Sequence, residues 1–143
     1  MKRSAACWVV LAVICVACAG AAPNVLLVQL GDQGPADVRS EINDRYLDAV
    51  LGFGEVSIRQ TIPGGTVEAQ VVLSNKGRAD VAFEYRFMWY DKSGFELPGV
   101  KAWLPAVLSA GEARGFTSSA PSRDAVNFRL MVRMPHGVTS TGS

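Results

Sequence analysis

One stretch in the middle of the chain, VAFEYRFMWYDKSGFEL at residues 81–97, alternates aromatic residues with polar or long side chains. Successive side chains of a β-strand point to opposite faces, so this alternation predicts a strand at residues 81–90 with one wholly aromatic face. The residues of that face are Phe83, Tyr85, Phe87 and Trp89. Each ring can bury about 150–250 Å², and a small domain needs such burial to fold. We therefore expect the aromatic face in the core, with a surface platform for a ligand as the alternative.

Turn-forming residues punctuate the chain on both sides of this stretch, for example PGG at residues 63–65 and NKG at 75–77. Short strands separated by such turns are typical of an antiparallel sandwich or barrel, here of about seven strands. Besides residues 81–90, the predicted strands cover residues 55–61, 66–73, 100–103, 113–118 and 126–134. Residues 24–30 are expected to add an edge strand or to dock only loosely. The pattern thus predicts an all-β fold with its sandwich domain at residues 51–135.

Residues 37–52, DVRSEINDRYLDAVLG, depart from the two-residue alternation. Val38, Ile42, Tyr46 and Val50 recur every four residues, which is the spacing of one face of a helix. We expect a short helix or an ordered connection here, within an N-terminal linker of residues 18–50. Its apolar face would close one end of the sandwich or would bind a partner.

The first residues have the features of an export signal. Lys2 and Arg3 give a positive start, and an apolar run follows at residues 5–16. The run ends in VICVACAG, which resembles the lipobox of bacterial lipoproteins, with Cys18 as the lipid-modified residue. Cys15 stands where leucine is commonest in that motif.

This resemblance implies a lipoprotein signal peptide at residues 1–17 and a periplasmic protein held at the membrane by lipid on Cys18. Ala19, directly after the cysteine, favours sorting to the outer membrane. Cleavage near Ala22 and an uncleaved membrane anchor are the alternatives. All three cysteines of the chain fall within residues 7–18, so the exported domain is expected to fold without disulfides.

Charge and residue types exclude several functions. The chain has 14 Lys and Arg against 13 Asp and Glu, so no basic field would attract nucleic acid. The only histidine, His136, lies in a small, polar tail at residues 136–143 that is expected to be disordered. A catalytic triad would therefore lack a fixed base. With no second histidine and no cluster of cysteines in the exported domain, metal binding is not expected either, and no cofactor is predicted.

Four carboxylates flank the central hairpin, namely Glu84, Asp91, Glu96 and Glu112. Glycan-cleaving enzymes use two carboxylates, so these residues are either a catalytic pair or ordinary solvated side chains. The solvated interpretation is favoured, because most of these carboxylates are explained as solvated residues of turns or of an outward face. The sequence therefore predicts a protein that is not an enzyme.

Three segments together resemble the YcfL family of proteobacterial lipoproteins: FEYRFMWYDKSGFEL at residues 83–97, then Trp103, and NFRLMVR at residues 127–133, with Ala120 and Pro121 between them. The resemblance covers residues 50–134 and the lipobox. It implies an immunoglobulin-like β-sandwich at the cell envelope. The molecular function of that family is uncharacterised, so the resemblance assigns no catalytic residue.

The outward face of the predicted sheet offers a candidate partner site. Arg86 and Met88 would lie beside Arg129, Met131 and Arg133 if their strands are neighbours. Arginine and methionine are enriched at protein interfaces, so an envelope protein could dock there, although a solvated face is the simpler interpretation.

A second candidate is a ligand platform of Phe95 and Trp103 near the hairpin mouth. On balance we expect a non-catalytic binding or accessory module of the envelope, with a small-ligand carrier using the aromatic hairpin or a cell-wall-acting enzyme as alternatives. The sequence specifies neither a partner nor an oligomeric state.

Overall fold

The computed structural model describes residues 21–136, and this part of the chain contains eight strands and one short helix. In chain order they are β1 (Asn24–Leu30), β2 (Pro35–Glu41), α1 (Arg45–Val50), β3 (Leu51–Gln60), β4 (Val67–Asn75), β5 (Val81–Asp91), β6 (Leu104–Leu108), β7 (Ala113–Ser119) and β8 (Ala125–Arg133). The predicted signal peptide at residues 1–17, the lipidation site Cys18 and residues 137–143 of the predicted tail lie outside the described residues.

The strands form two antiparallel sheets of unequal width. Five strands lie in the order β2-β1-β8-β5-β6, and three lie in the order β3-β4-β7. The predicted antiparallel β-sandwich is therefore confirmed.

The core lies between the inward faces of the two sheets. Phe83, Phe128 and Leu130 from the wider sheet meet Val71 and Leu73 from the narrower one, and all five are fully buried. The predicted aromatic face of β5 does point inward. Two of its members, Phe83 and Trp89, are buried, whereas Tyr85 and Phe87 are only half-buried.

Strand β1 lies inside the wider sheet and not at its edge. It pairs with β2 on one side and with β8 on the other, where Val28 is opposite Phe128. The expected edge strand and the domain start at residue 51 are thus wrong, because the sandwich already begins at Asn24. The sequence NVLLVQL explains this placement: a continuous apolar run suits a strand that is buried on both faces.

The predicted helix at residues 37–52 is also only partly correct. Its first part is strand β2, which is exposed along its whole length, and α1 covers only Arg45–Val50. The Asp44 carboxylate starts the helix by accepting the Leu47 N–H at 3.0 Å. Leu47 is the helix residue that is buried, whereas Tyr46 of the predicted apolar face is exposed. Pairing of β2 with β1 overrides the four-residue spacing.

Strand β6 begins at Leu104, after the residues 100–103 where a strand was predicted. Residues 98–103 are instead an irregular loop, which we call the lid loop. The preceding turn is built by Asp91, whose carboxylate accepts the N–H groups of Ser93 and Phe95. Gly94 supplies the positive φ of +83° that this turn requires. Within residues 21–136, no helix is both long and apolar enough to cross a bilayer.

Candidate binding cleft

The unequal pairing of β5 opens one flank of the sandwich. Strand β6 pairs only with the first half of β5, and its last pair joins Leu104 to Tyr85. Beyond that pair, residues 86–88 have no neighbouring strand on this side from the described part of the chain. The Leu97 N–H then bonds to the Trp89 carbonyl at 2.7 Å. Within residues 21–136, the narrower sheet ends at β7, and no further strand covers this flank.

A cavity of about 340 Å³ occupies this flank between β5 and β7, and we call it the open cleft. Its floor is formed by Tyr85, Phe87 and Trp89, its far wall by residues 117–119 of β7, and its cover by residues 96–104. Small-molecule sites usually occupy about 300–1,000 Å³. The open cleft is therefore at the small end of the range for a ligand or for one or two side chains.

The aromatic floor is held in place by neighbouring rings. The Tyr85 ring meets the Phe116 ring edge-on with centroids 4.8 Å apart, and the Trp89 ring lies 5.0 Å from that of Phe128. Leu104 has the same inward register as Tyr85, yet 42% of its surface is exposed. Inward-facing side chains are thus left partly uncovered where the narrower sheet ends.

Hydrogen-bonding groups converge on the same space. Trp89 Nε1 donates to Ser118 Oγ at 3.0 Å, which leaves the Ser118 hydroxyl hydrogen to donate elsewhere. The Trp89 carbonyl accepts a hydrogen bond from the Leu97 N–H. Main-chain groups two residues apart in a strand point to the same side, so the N–H and carbonyl of Phe87 also point to the side of Leu97. Among the described residues, no main-chain hydrogen bond outside the sheet ladders reaches Phe87. The cleft therefore combines an apolar floor with a few polar groups.

The lid loop is fixed at both ends. It starts directly after Leu97, whose N–H is bonded to the Trp89 carbonyl. Its last residue, Trp103, packs against two guanidinium groups. The Arg133 and Arg86 guanidinium carbons lie 4.0 and 4.8 Å from the Trp103 ring centroid. Arg86 Nη1 also donates to the Lys101 carbonyl at 3.1 Å. These contacts hold the loop over the cleft.

The structure brings together all five residues of the predicted partner face. Arg86 lies opposite Met131 and Met88 opposite Arg129, while Arg133 lies opposite Glu84. The arginines also have partners within the fold.

Arg133 forms a 2.7 Å ion pair with Glu84, Arg86 holds the lid loop, and Arg129 lies over the Tyr90 ring at 4.8 Å. A bound partner is therefore not needed to explain why these arginines are grouped.

The predicted platform of Phe95 and Trp103 is not part of the cleft. Phe95 is 72% exposed on the hairpin turn, and Trp103 packs on the outer face with the arginines. The alternation in the sequence places Tyr85 and Phe87 on the correct face, and it predicts them in the core, with a ligand platform as the alternative. Their partial exposure depends on where β6 and β7 end, which the local sequence does not reveal.

The four carboxylates considered for catalysis have separate positions. Glu84 pairs with Arg133, Asp91 builds the turn, and Glu112 accepts the Ser109 N–H at 2.8 Å and two Arg114 N–H groups. The Ser109 N–H first, and then Arg114, hold the pKa of the Glu112 carboxyl below its ordinary value. Glu96 is the carboxylate among the residues that line the cleft. His136 is exposed, and no cluster within residues 21–136 could hold a metal ion.

Comparison with known proteins gives a family and a shared fold. The model of the family described as a protein of unknown function (DUF1425) matches residues 39–134. The crystal structure of a DUF1425 family member from Shewanella sp. pv-4 is 20% identical and superposes with a TM-score of 0.55, covering 78% of this chain and 98% of that one. The Campylobacter jejuni cj0090 structure is 22% identical, with a TM-score of 0.48 and coverage of 58% and 85%. No curated protein matches the chain.

Proposed function

Because the chain belongs to the DUF1425 family, whose function is unknown, we propose a role from its own surface: a non-catalytic module that binds an envelope partner through the open cleft. In this proposal the protein is a YcfL-like lipoprotein, anchored through lipid on Cys18 in the periplasm, at the outer membrane. The observation that carries the binding role is a cavity of about 340 Å³ in the flank of the sandwich.

The apolar surface around the cleft supports binding. Protein interiors are normally close-packed, yet Tyr85 and Phe87 face inward and remain partly exposed. At the mouth, Val100 is 72% exposed and Leu104 is 42% exposed. Grouped apolar side chains at a concave site are a common sign of a binding surface. A ligand that covers them would complete the core on this side.

The polar groups of the cleft favour binding over catalysis. Hydrolysis of glycans uses two carboxylates about 5–10 Å apart, and Glu96 has no acidic companion among the residues that line the cleft. The remaining polar groups there are hydroxyls, main-chain groups and Arg86, whose guanidinium is engaged with the lid loop. Such groups orient a ligand but do not transfer protons readily at neutral pH.

Photocrosslinking in intact cells tests the binding role. A photoreactive phenylalanine analogue at Val100 places the probe at the mouth, and the same analogue at Ile62 is the control, because both positions are exposed and apolar while Ile62 lies outside the cleft. We expect a discrete adduct from position 100 and none from position 62. Equal labelling at both positions, or none at either, would contradict a binding role for the cleft.

The anchor is tested separately through Cys18. Wild-type protein should incorporate labelled palmitate and sediment with outer-membrane fractions, whereas Cys18→Ser should do neither. An unmodified N-terminus near Pro23, found by mass spectrometry of the mature protein, would refute the lipid anchor and leave the cleft proposal standing.

A further inference from the structure

We propose that the free edge of β7 binds an extended peptide segment of a partner protein, which adds a fourth strand to the three-stranded sheet. One apolar side chain of the segment would enter the open cleft. The inference rests on the proposed binding role and specifies its partner: a strand-forming peptide with an apolar residue near its centre.

Two hydrogen bonds establish which main-chain groups of β7 are free. The Ala120 N–H bonds to the Val67 carbonyl at 2.7 Å, and the Asn75 N–H bonds to the Glu112 carbonyl at 2.8 Å. Even-numbered positions of β7 therefore face β4, and alternation turns the odd-numbered ones outward. Gly115, Thr117 and Ser119 thus present their N–H and carbonyl groups at the free edge. Within residues 21–136, none of the main-chain bonds outside the ladders involves these three.

The other sheet edges carry features that discourage pairing with another chain. Proteins block free edges with charges, prolines and bulges. Strand β6 contains Pro105, β2 starts with Pro35 and carries three charged residues, and β3 is interrupted by a bulge between Phe53 and Val56. Strand β7 lacks proline, and its one charged side chain, Arg114, is folded back onto Glu112. Residues 115–119 thus lack these protections.

The accessible part of the edge has a defined length. At one end, Arg114 Nη2 donates to the Val107 carbonyl at 3.0 Å and joins β7 to β6. At the other end, Gly99 of the lid loop lies close to Pro121, since a Cβ added at Gly99 would be 3.9 Å from the proline ring. Between these contacts lie residues 115–119, which match the usual strand length of about five or six residues.

The open cleft lies beside this edge and provides a pocket for a side chain. Thr117 and Ser119 line it together with Phe87, so the free main-chain groups and the aromatic floor border the same space. In strand addition, main-chain bonds supply affinity and pockets for alternate side chains supply specificity. A peptide paired with β7 would direct alternate side chains towards the floor. An acidic side chain there would lose its hydration over the aromatic floor and lie near the Glu96 carboxylate, which carries the same charge.

A model peptide tests the proposal on the full-length protein in detergent. The probe is a fluorescein-labelled heptapeptide that alternates threonine and valine around a central phenylalanine. We expect saturable binding by fluorescence anisotropy and slower hydrogen exchange at the amides of Gly115, Thr117 and Ser119. Replacing the central phenylalanine of the peptide with aspartate should weaken binding at least about tenfold.

A proline substitution separates main-chain pairing from side-chain contacts. Thr117→Pro removes an N–H that faces outward, so it leaves the ladder with β4 intact. Gln60→Pro is the matched control. The Thr61 N–H bonds to the Thr66 carbonyl, so the N–H of the preceding residue, Gln60, points away from β4. It therefore lies at the other free edge of the same sheet. Thr117→Pro should weaken peptide binding at least about tenfold, and Gln60→Pro should not. Thermal melts check that both variants fold.

A second measurement avoids any folding defect. A peptide with N-methylated amides cannot donate hydrogen bonds to β7, so wild-type protein should bind it at least about tenfold more weakly than the parent peptide. Unchanged binding by the methylated peptide, or unchanged amide exchange, would overturn strand addition, while a Val100 adduct in cells would still support the binding role. Slow exchange of the β7 amides without peptide, together with a dimer mass, would also overturn it by identifying a second copy as the occupant.

Discussion

The indole N–H of Trp89 on β5 donates a 3.0 Å hydrogen bond to the Ser118 hydroxyl on β7. This contact joins the two sheets through side chains at the floor of the open cleft. It also orients the Trp89 ring, which packs against Phe128. The same hydroxyl can donate to a ligand, so one serine connects the stability of the sandwich with the chemistry of the cleft.

Ser118→Ala should lower the free energy of unfolding by about 1–3 kcal/mol, because it leaves the buried indole N–H of Trp89 without its acceptor. Ser119→Ala is the control, since that side chain is exposed and makes no hydrogen bond among the described residues. Its effect should stay within about 0.5 kcal/mol. Urea unfolding of both variants measures the difference. Equal stability of the two variants would mean that the bond between the sheets contributes nothing.

Trp89→Ala should destabilise the fold by about 3–5 kcal/mol, the range for removing a large buried ring. Phe95→Ala removes another aromatic ring of the same hairpin, but one that is 72% exposed, and should cost less than about 0.5 kcal/mol. Thermal melts of the two variants compare a buried with an exposed aromatic residue. A similar loss in both would show that the aromatic face of β5 is not the main support of the core.

Local alternation was sufficient to predict β5, because one strand with a dry face leaves a period of two in its own sequence. Strand β2 could not be predicted in this way. It is exposed throughout and is held by its pairing with β1, so its sequence carries no alternation, while Val38 and Ile42 imitate helical spacing. Elements stabilised by main-chain pairing are not visible in a hydrophobic pattern.

The open cleft could not be predicted from the sequence for a related reason. It exists because β6 pairs only as far as Tyr85 and because the narrower sheet ends at β7. Both features depend on pairing between strands that are far apart in the sequence. The predicted partner face was recovered better, since Arg86, Met88 and the residues of β8 needed only that two strands be neighbours. The sequence could not show that Trp103 would occupy two of its arginines.

Trp103→Ala should loosen the lid loop without unfolding the domain. Two cation–π contacts worth about 0.5–1 kcal/mol each are lost, which corresponds to about a tenfold increase in local opening. Trypsin should then cleave after Lys101, an exposed residue of the loop, about ten times faster.

Cleavage after Lys92, in the hairpin turn, is the internal reference for this experiment and should not change. Phe95→Ala is the matched control, because its ring does not pack against a guanidinium group within the described residues. Faster cleavage at both lysines would indicate a general loss of stability and contradict a specific role for Trp103.

Glu112→Gln should remove part of the pH dependence of stability. The Ser109 N–H and then Arg114 lower the pKa of the Glu112 carboxyl in the folded state. A lowered folded-state pKa means that the carboxylate stabilises the fold above the ordinary pKa, and that this contribution is lost as pH falls through the lowered value.

The melting temperature of wild-type protein should therefore exceed that of Glu112→Gln at pH 7, and the gap should close in acid. Glu96→Gln removes an equal charge from a carboxylate without hydrogen bonds to the described residues, so it controls for the change in net charge. A gap of constant size from neutral to acidic pH would mean that the charge of Glu112 does not stabilise the fold. The lower stability of Glu112→Gln would then come from the shape of the glutamine side chain.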